Sequence, residues 1–273
     1  MQIGYWGPEV SYSYIAASHY GPDKDLVGLR SFKQIIEGVE KGHIGEGILP
    51  IENSTEGAVT QAMDALMQTK VSQIRGEIIL QVRHNLLGVG DSPESIKYVL
   101  SHPQALGQCR EFLAHHYPNI KMVSRESTSD ACEAAREKGP EYAAIADSWA
   151  AGNRGLKILH ADIQDNINNQ TRFVIIGRGD TVVTENDKTS IVFSFNDDSP
   201  GSLHKVLEVF AKERINLTRI ESRPAKMELG KYIFYIDFHG HEKDEKIKAI
   251  LKTIKQMTNK LKVFGSYPIG RVF

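Results

Sequence analysis

Residues 172–188 read RFVIIGRGDTVVTENDK and divide the sequence into two parts of different pattern. The run FVII is continuous and apolar, which is typical of a buried strand, and it ends at Gly177. The polar residues that follow predict a linker over residues 178–188. The whole chain has 273 residues, enough for two domains that each bury a core.

Before this linker, short apolar strands alternate with amphipathic helices, which predicts an α/β domain with a largely parallel sheet. Ser31 and Gln34 have the spacing of a capping box and predict a helix that ends near Gly42. We expect a second helix over residues 55–69, and a third after Ser101. The predicted strands span residues 2–6, 48–51, 98–100, 120–123, 143–146 and 172–176.

After the linker, the order of predicted elements changes to βαββαβ. This order within roughly 85 residues is typical of a ferredoxin-like domain. We predict its strands at residues 189–195, 216–223, 231–239 and 262–267, and its helices at residues 200–214 and 242–259.

The composition excludes several classes of protein. The 33 basic and 34 acidic side chains balance, so no net charge recruits nucleic acid or an anionic membrane. The sequence begins without a signal-peptide pattern and has no apolar run near the roughly 20 residues that span a bilayer. We therefore expect a cytoplasmic protein.

The two cysteines, Cys109 and Cys132, lack CxxC spacing, so we expect buried thiols rather than a disulfide or a metal site. The sequence contains no HExxH motif, no phosphate-binding glycine loop and no recognisable nucleophile with a base. We therefore predict chemistry that uses no cofactor and no metal.

Polar residues follow the predicted strands at two places, PIENSTEG over residues 50–57 and SHPQALGQC over residues 101–109. Asn53 with Glu56, and Ser101 with Gln104, fit capping boxes, which is a structural explanation. The alternative is that helix N-termini at the carboxyl ends of parallel strands bind an anion there. Thr171 starts a strand and caps no helix, so it is either an ordinary β-branched residue of that strand or a substrate ligand.

Taken together, IENSTEG, SHPQALGQC and NQTRF, in this order and spacing, resemble the prephenate dehydratase family. Residues 188–273 resemble its ACT regulatory domain. Further similarity lies in GPEVSYS at residues 7–13, PGSL at 200–203, ESRP at 221–224 and GSYP at 265–268. The sequence departs from the family pattern at Val10, Ser11 and Ser202, where glycine, threonine and alanine are usual.

The resemblance implies a type II periplasmic-binding-protein-like catalytic domain over residues 1–180 and a ferredoxin-like ACT domain over residues 188–273. The first lobe would comprise residues 1–75 and 166–180, and the second lobe residues 76–165. The implied partners are prephenate as substrate and phenylalanine as allosteric effector, in a homodimer or homotetramer without a cofactor.

The resemblance also assigns roles to residues of this sequence. The implied catalytic residues are Asn53, Ser101, Gln108 and Thr171. The implied substrate-binding residues are Ser11, Ser54, Arg172 and Phe173. The implied phenylalanine-binding residues are Gly201, Ser202, Leu203, Glu221, Ser222, Arg223 and Pro224.

In the implied reaction, prephenate loses carbon dioxide and its ring hydroxyl to give aromatic phenylpyruvate. We expect Thr171 to donate a hydrogen bond to the departing hydroxyl, while the amide and serine side chains orient the carboxylates. Two alternatives stay open at this point. One is an arogenate dehydratase, and the other is an amino-acid sensor that converts nothing.

Overall fold

The structure is a computed structural model that describes residues 2–9, 11–196, 199–225 and 231–273. Val10, where the sequence departs from the family pattern, lies outside the described residues. The strands of the first domain are β1 (Ile3–Trp6), β2 (Leu26–Leu29), β3 (Glu46–Asn53), β4 (Gly57–Ala58), β5 (Ser72–Gln81), β6 (Asn85–Gly88), β7 (Tyr98–Ser101), β8 (Lys121–Ser124), β9 (Tyr142–Ala146), β10 (Lys157–His160) and β11 (Gln170–Arg178). Its helices are α1 (Tyr12–Tyr20), α2 (Phe32–Lys41), α3 (Thr60–Leu66), α4 (Pro103–Gln108), α5 (Arg110–His116), α6 (Thr128–Lys138) and α7 (Ser148–Arg154).

These strands form two sheets, and each sheet is the centre of one lobe. The first sheet has the order β2-β1-β3-β11-β5, with β4 paired to β3. The second has the order β10-β6-β9-β7-β8. This confirms a two-lobed α/β domain of the periplasmic-binding-protein-like type.

From the alternating pattern we had expected a largely parallel sheet, but both sheets contain antiparallel as well as parallel pairs. In the first sheet, β1 is parallel to β2 and β3, but β11 is antiparallel to both β3 and β5. In the second, β7 is parallel to β8 and β9, while β6 is antiparallel to β9 and β10. The antiparallel β11 re-enters the first sheet from the second lobe, so it needs no crossover helix.

The expected lobe boundary after residue 75 falls inside a strand. All of β5 from Ser72 to Gln81 pairs with β11, so residues 76–81 belong to the first sheet. The chain changes sheets between Gln81 and Asn85, because the backbone hydrogen bonds of β5 continue to its last residue.

The predicted cap of α2 is confirmed, whereas the predicted start of α3 is wrong. The Ser31 hydroxyl accepts from the Gln34 N–H at 3.2 Å, and the Gln34 side chain accepts from the Arg30 N–H at 3.0 Å. The helix expected from residue 55 starts only at Thr60. Residues 57–58 pair instead with residues 52–53 as β4, which draws the chain back along β3.

The second domain has the βαββαβ order that the sequence predicts. Its elements are β12 (Asp187–Ser194), α8 (Ser202–Lys212), β13 (Leu217–Pro224), β14 (Tyr232–His239), α9 (Glu245–Met257) and β15 (Lys260–Pro268). The sheet is antiparallel with the order β13-β14-β12-β15, as in a ferredoxin-like fold. Residues 179–186, in the predicted linker, contain no helix or strand.

The two faces of this second-domain sheet have different partners. One face packs against α8 and α9, around Phe193, Phe210 and Phe238. The other face lies directly on the first domain, where Tyr235 and Phe264 share one apolar cluster with residues of α3 and β5. The two domains therefore share part of their core.

Gly265 marks a close approach of the two domains. A Cβ atom at this position would collide with the carbonyl oxygen of Ile74 in β5. Its φ of +146° is also in a region that L side chains rarely adopt. Glycine is needed here so that β15 can lie against β5.

Both cysteines are free and buried, as predicted. Burial raises the pKa of each thiol to about 12, so neither is a thiolate at neutral pH. Within the described ranges, no helix has the length and apolar character needed to cross a membrane.

Candidate active site

A cleft between the lobes is bounded by two segments that connect the sheets. Residues 82–84 leave the end of β5, and residues 161–169 return to the start of β11. Polar side chains from these segments meet side chains from β3 and α4, so both lobes contribute to one hydrogen-bonded group.

Asn53 and Thr171 are the centre of this group. They are direct partners in the antiparallel ladder of β3 and β11, and both lie at the end of the sheet that faces the cleft. The Asn53 Oδ1 accepts from the backbone N–H groups of Thr55 and Glu56, each at 2.9 Å. These two bonds fix the orientation of the amide, because only its oxygen can accept them.

The Nδ2 of Asn53 therefore points towards the cleft as a donor. It donates to the Thr171 Oγ1 at 2.9 Å and to the Asn169 Oδ1 at 2.8 Å. Among the described residues, Asn53 is the sole hydrogen-bond partner of the Thr171 hydroxyl. The hydroxyl accepts this bond through its oxygen, so its hydrogen is available to a ligand.

Gln108 joins the second lobe to the same group. Its Oε1 accepts from the Asn169 Nδ2 at 2.9 Å and lies 2.8 Å from the His84 Nε2. Its Nε2 consequently faces the other way, towards the Glu56 carboxylate at 3.4 Å. Glu56 belongs to the first lobe, so this contact spans the cleft.

His84 and Tyr12 belong to the group although the sequence analysis did not single them out. The Tyr12 hydroxyl donates to the Arg83 carbonyl at 2.9 Å and lies 3.2 Å from the His84 Nδ1. Burial lowers the pKa of His84 below its usual value, although Gln108 and Asp147 oppose the shift. His84 is therefore neutral at pH 7. No spacing around residues 83–85 could have revealed this role.

Asp147 is a further titratable residue near this group. It caps α7, where its Oδ1 accepts from the Trp149 N–H at 2.9 Å. Burial raises the pKa of its carboxyl, and its charge in turn helps raise the pKa of Tyr12. It thus places a carboxyl group close to the buried end of the cleft.

Comparisons with known proteins show the family of the chain. A family model described as prephenate dehydratase matches residues 3–181, and one described as ACT domain matches residues 189–256. A prephenate dehydratase of Methanocaldococcus jannaschii is 44% identical over 228 residues, which are 82% of each chain. The chain belongs to the prephenate dehydratase family.

Two solved structures have the same fold. The prephenate dehydratase of Arthrobacter aurescens in complex with L-Phe is 31% identical, with a TM-score of 0.89, and the match covers 98% of this chain and 90% of that one. A protein called GqqA, described as a novel type of quorum quenching acylase, is 28% identical, with a TM-score of 0.87 and 98% of each chain covered.

Three residues that the prephenate dehydratase resemblance assigned to the cleft lie elsewhere or are closed off. Ser101 is 0% exposed and donates its hydroxyl to the Ile145 carbonyl at 2.7 Å, so that hydrogen is unavailable to a substrate. Phe173 is 1% exposed and packs in the core between β11 and α1. Arg172 points away from Thr171, because neighbouring side chains of a strand face opposite sides of the sheet.

Arg172 is instead bound to the second domain. Its guanidinium donates to Glu77, Asp237 and Tyr267 and is too deeply buried to reach the cleft. Arg172, which the resemblance implied as a substrate ligand, therefore faces the ACT domain and not the cleft in this structure.

Ser54 and Ser11 have structural partners near the cleft. The Ser54 hydroxyl donates to the Asn168 carbonyl at 3.1 Å and accepts from the Gln170 N–H at 2.9 Å, which ties the Asn53 loop to the start of β11. The Ser11 hydroxyl accepts from the Tyr14 N–H at 3.2 Å and so caps α1. Both serines position elements that carry cleft residues.

The residues expected to bind phenylalanine lie at two places in the ACT domain. Gly201, with φ of +89°, precedes α8, which begins with Ser202 and Leu203. On β13, Glu221 and Arg223 are partly buried, whereas Ser222 and Pro224 are exposed. Arg223 donates to the Thr60 carbonyl at 2.8 Å and to Asp64 at 2.6 Å, so it contacts α3 of the catalytic domain.

Proposed function

We propose that this protein is a prephenate dehydratase, which converts prephenate to phenylpyruvate, water and carbon dioxide. The observation that carries the proposal is the Thr171 hydroxyl: Asn53 donates to its oxygen, and its hydrogen has no acceptor among the described residues. This donor lies at the junction of two lobes that can enclose a small molecule.

The chemistry requires help for a poor leaving group. Hydroxide must depart from the ring of prephenate as the ring carboxylate leaves as carbon dioxide, and the gain of aromaticity drives both losses. Thr171 is too weak an acid to transfer a proton before the bond breaks. Its hydrogen bond instead strengthens as negative charge develops on the departing oxygen, which lowers the barrier.

The amide groups supply the remaining polar contacts. The Nε2 of Gln108 faces the Glu56 carboxylate at 3.4 Å, a long contact that a substrate carboxylate can replace. The Oε1 of Gln108 has two partners, Asn169 and His84, which hold the amide in this orientation. Gln108 thus orients a carboxylate, and Asn53 orients Thr171.

The regulatory part of the proposal is that phenylalanine binds the ACT domain and inhibits the cleft. The support is the ACT match over residues 189–256 and the related prephenate dehydratase that is described in complex with L-Phe. The residues we propose for this site are Gly201, Ser202, Leu203, Glu221, Ser222, Arg223 and Pro224. We further propose a cytoplasmic homodimer or homotetramer.

The acylase description of one structural relative suggests acyl transfer as a second chemistry. Such a reaction needs a nucleophile activated by a neighbouring base. Within the part of the chain that the structure describes, no serine or cysteine side chain is hydrogen-bonded to a histidine, and the pKa of Cys109 is raised to about 12. The cleft therefore favours elimination.

In the decisive experiment, purified protein is incubated with prephenate and with arogenate in separate reactions. We expect phenylpyruvate to form from prephenate, and its absorbance in alkali measures the rate. Phenylalanine formed faster from arogenate would identify an arogenate dehydratase. Turnover of neither compound would contradict the proposal and favour the amino-acid sensor.

A further inference from the structure

A buried group of charged and polar side chains joins the two domains behind Thr171. Its members are Arg172 of β11, Glu77 of β5, Lys188 of β12, Asp237 of β14 and Tyr267 of β15. Their exposed fractions are 9%, 6%, 7%, 4% and 0%. We call these five residues the interdomain cluster.

Arg172 is the centre of the interdomain cluster. Its Nε donates to Glu77 at 2.6 Å, its Nη1 to Asp237 at 2.5 Å and its Nη2 to the Tyr267 hydroxyl at 2.8 Å. Lys188 donates to both oxygens of Glu77 at 2.8 and 3.0 Å. Two cations and two carboxylates thus balance, and three of the five residues come from the ACT domain.

The interdomain cluster fixes the position of the ACT domain on the first domain more than it stabilises the fold. Burial by itself raises the pKa of Glu77 and Asp237. Arg172 acts with Lys188 at Glu77 and with Arg219 at Asp237, and together with the hydrogen bonds they outweigh burial and hold both pKa values below their usual values. Buried ion pairs recover their desolvation cost only when the geometry is good, and apolar replacements are often no less stable. A planar guanidinium with three directed bonds, however, permits one placement of the ACT sheet against β11.

Arg172 is also next to Thr171 in the chain. Thr171 pairs with Asn53 across the ladder of β11 and β3, and the register of that ladder shifts between Arg172 and Phe173. A displacement of the Arg172 backbone therefore changes the position of Thr171 relative to Asn53. Thr171 and Arg172 also pair with Leu80 and Ile79 of β5 without a register shift between them, so these two residues of β11 move together.

We infer that Arg172 is a positioning residue through which the ACT domain controls Thr171. It holds the Thr171 end of β11 to Asp237 and Tyr267, so a movement of the ACT sheet on phenylalanine binding alters the contact between Thr171 and Asn53. The inference rests on the proposed function, and it explains how the effector reaches a cleft that it does not touch.

The test is the double variant Arg172→Met/Asp237→Leu in the full-length protein. It removes one charge of each sign, leaves the pair of Lys188 and Glu77 intact, and keeps the apolar volume of the interface. Tyr267→Phe is a second, milder variant that removes one acceptor from Arg172. The measurements are kcat and KM for prephenate, the ratio of kcat without and with saturating phenylalanine, and the phenylalanine Kd by calorimetry.

Lys262→Met is the matched control. Lys262 is a cation of β15 that also crosses between the domains, and its Nζ donates to carbonyl groups of Leu66, Met67 and Thr69 at the end of α3. None of its hydrogen bonds involves β11. A general loosening of the interface should affect this variant as much as the double variant.

Allosteric couplings are typically about 5- to 150-fold, and we expect the double variant to lose most of that ratio while it still binds phenylalanine. Tyr267→Phe should lose part of the ratio, and Lys262→Met should keep it. Inhibition of the double variant as strong as that of the wild type would overturn the inference, and so would loss of phenylalanine binding. Failure of the proposed function is recognised separately, because the wild type would then turn over no prephenate.

Discussion

Thr171 has both a bound oxygen and a free hydrogen because of the side chain opposite it. Two backbone N–H groups at Thr55 and Glu56 hold the Asn53 oxygen, and this forces the Asn53 Nδ2 to face Thr171. A hydroxyl that accepts one hydrogen bond is polarised and donates a stronger one. The donor property of Thr171 is therefore set by the turn that follows β3 and leads to β4.

The hydroxyl of Thr171 can be tested with a substitution of equal shape. Thr171→Val keeps the β-branched side chain and removes the donor. Loss of one such transition-state donor typically costs on the order of 10²–10³ in kcat, and KM should change little because the hydrogen bond strengthens only in the transition state. Steady-state kinetics checks this, with Thr171→Ser as the control that keeps a hydroxyl. A kcat within threefold of the wild type would remove Thr171 from the mechanism.

Asn53→Asp tests the direction of the hydrogen bond between Asn53 and Thr171. A carboxylate still accepts from the N–H groups of Thr55 and Glu56, so the turn should stay folded. It can only accept from Thr171, however, and this would engage the hydrogen that the leaving group needs. We expect a fall in kcat on the order of that for Thr171→Val.

Thermal unfolding of the Asn53→Asp variant provides the control for its fold. A midpoint close to that of the wild type, together with the low kcat, would support the assigned direction. Unchanged kcat in the folded variant would contradict it.

At the scale of elements, the sequence predicts what local patterns determine. The apolar runs located β3, β9 and β11, and the pair of Ser31 and Gln34 located the start of α2. The helix at residue 55 was placed too early, because β4 depends on pairing with β3. Asn53 and Thr171 were found through the family motifs and are partners in the ladder.

The residues whose surroundings differ from the expected ones depend on tertiary contacts. Arg172 follows Thr171 in the motif, but the alternation along a strand turns it to the face that the ACT domain covers. The role of His84 was missed because its partners, Tyr12 and Gln108, are 72 and 24 residues away in the sequence. No local pattern contains that information.

Glu40 joins two elements of the first lobe, and this can be tested by pH. It lies near the end of α2 and accepts from the backbone N–H groups of Lys70, Val71 and Ser72 and from the Ser72 hydroxyl. Burial alone would raise the pKa of Glu40, but these hydrogen bonds lower it to about 2. The charged carboxylate therefore stabilises the start of β5.

The folded-state pKa of Glu40 is below its unfolded value of 4.5, so its contribution is present above pH 4.5 and is lost as the pH falls towards about 2. We expect Glu40→Gln to lower the free energy of unfolding by about 1–3 kcal/mol at pH 7, since hydrogen bonds to charged groups are worth that much. Urea unfolding at pH 7 and at pH 3 measures it, with the surface residue change Glu37→Gln as control. A difference between Glu40→Gln and wild type that is as large at pH 3 as at pH 7 would contradict the assignment.

At the scale of the whole molecule, the ACT domain completes the core of the catalytic domain. Tyr235, Phe264 and Tyr267 are at most 4% exposed and pack in one cluster with Met63 and Ile74 of the first domain. The interdomain cluster lies beside this apolar contact. Neither domain can separate without exposing apolar surface and leaving buried charges without partners.

This shared core predicts that the two domains unfold together. For the full chain, we expect one calorimetric transition whose calorimetric and van't Hoff enthalpies agree. A fragment of residues 1–181 should melt at a lower temperature and aggregate, because Met63 and Ile74 lose their cover and Arg172 and Glu77 lose their partners in the ACT domain. Addition of a fragment of residues 186–273 should restore part of the lost stability. Two separate transitions in the full chain, or a catalytic fragment as stable as the whole, would mean that the contact between the domains is weak. The proposed route from Asp237 through Arg172 to Thr171 would then lack the rigid contact that it requires.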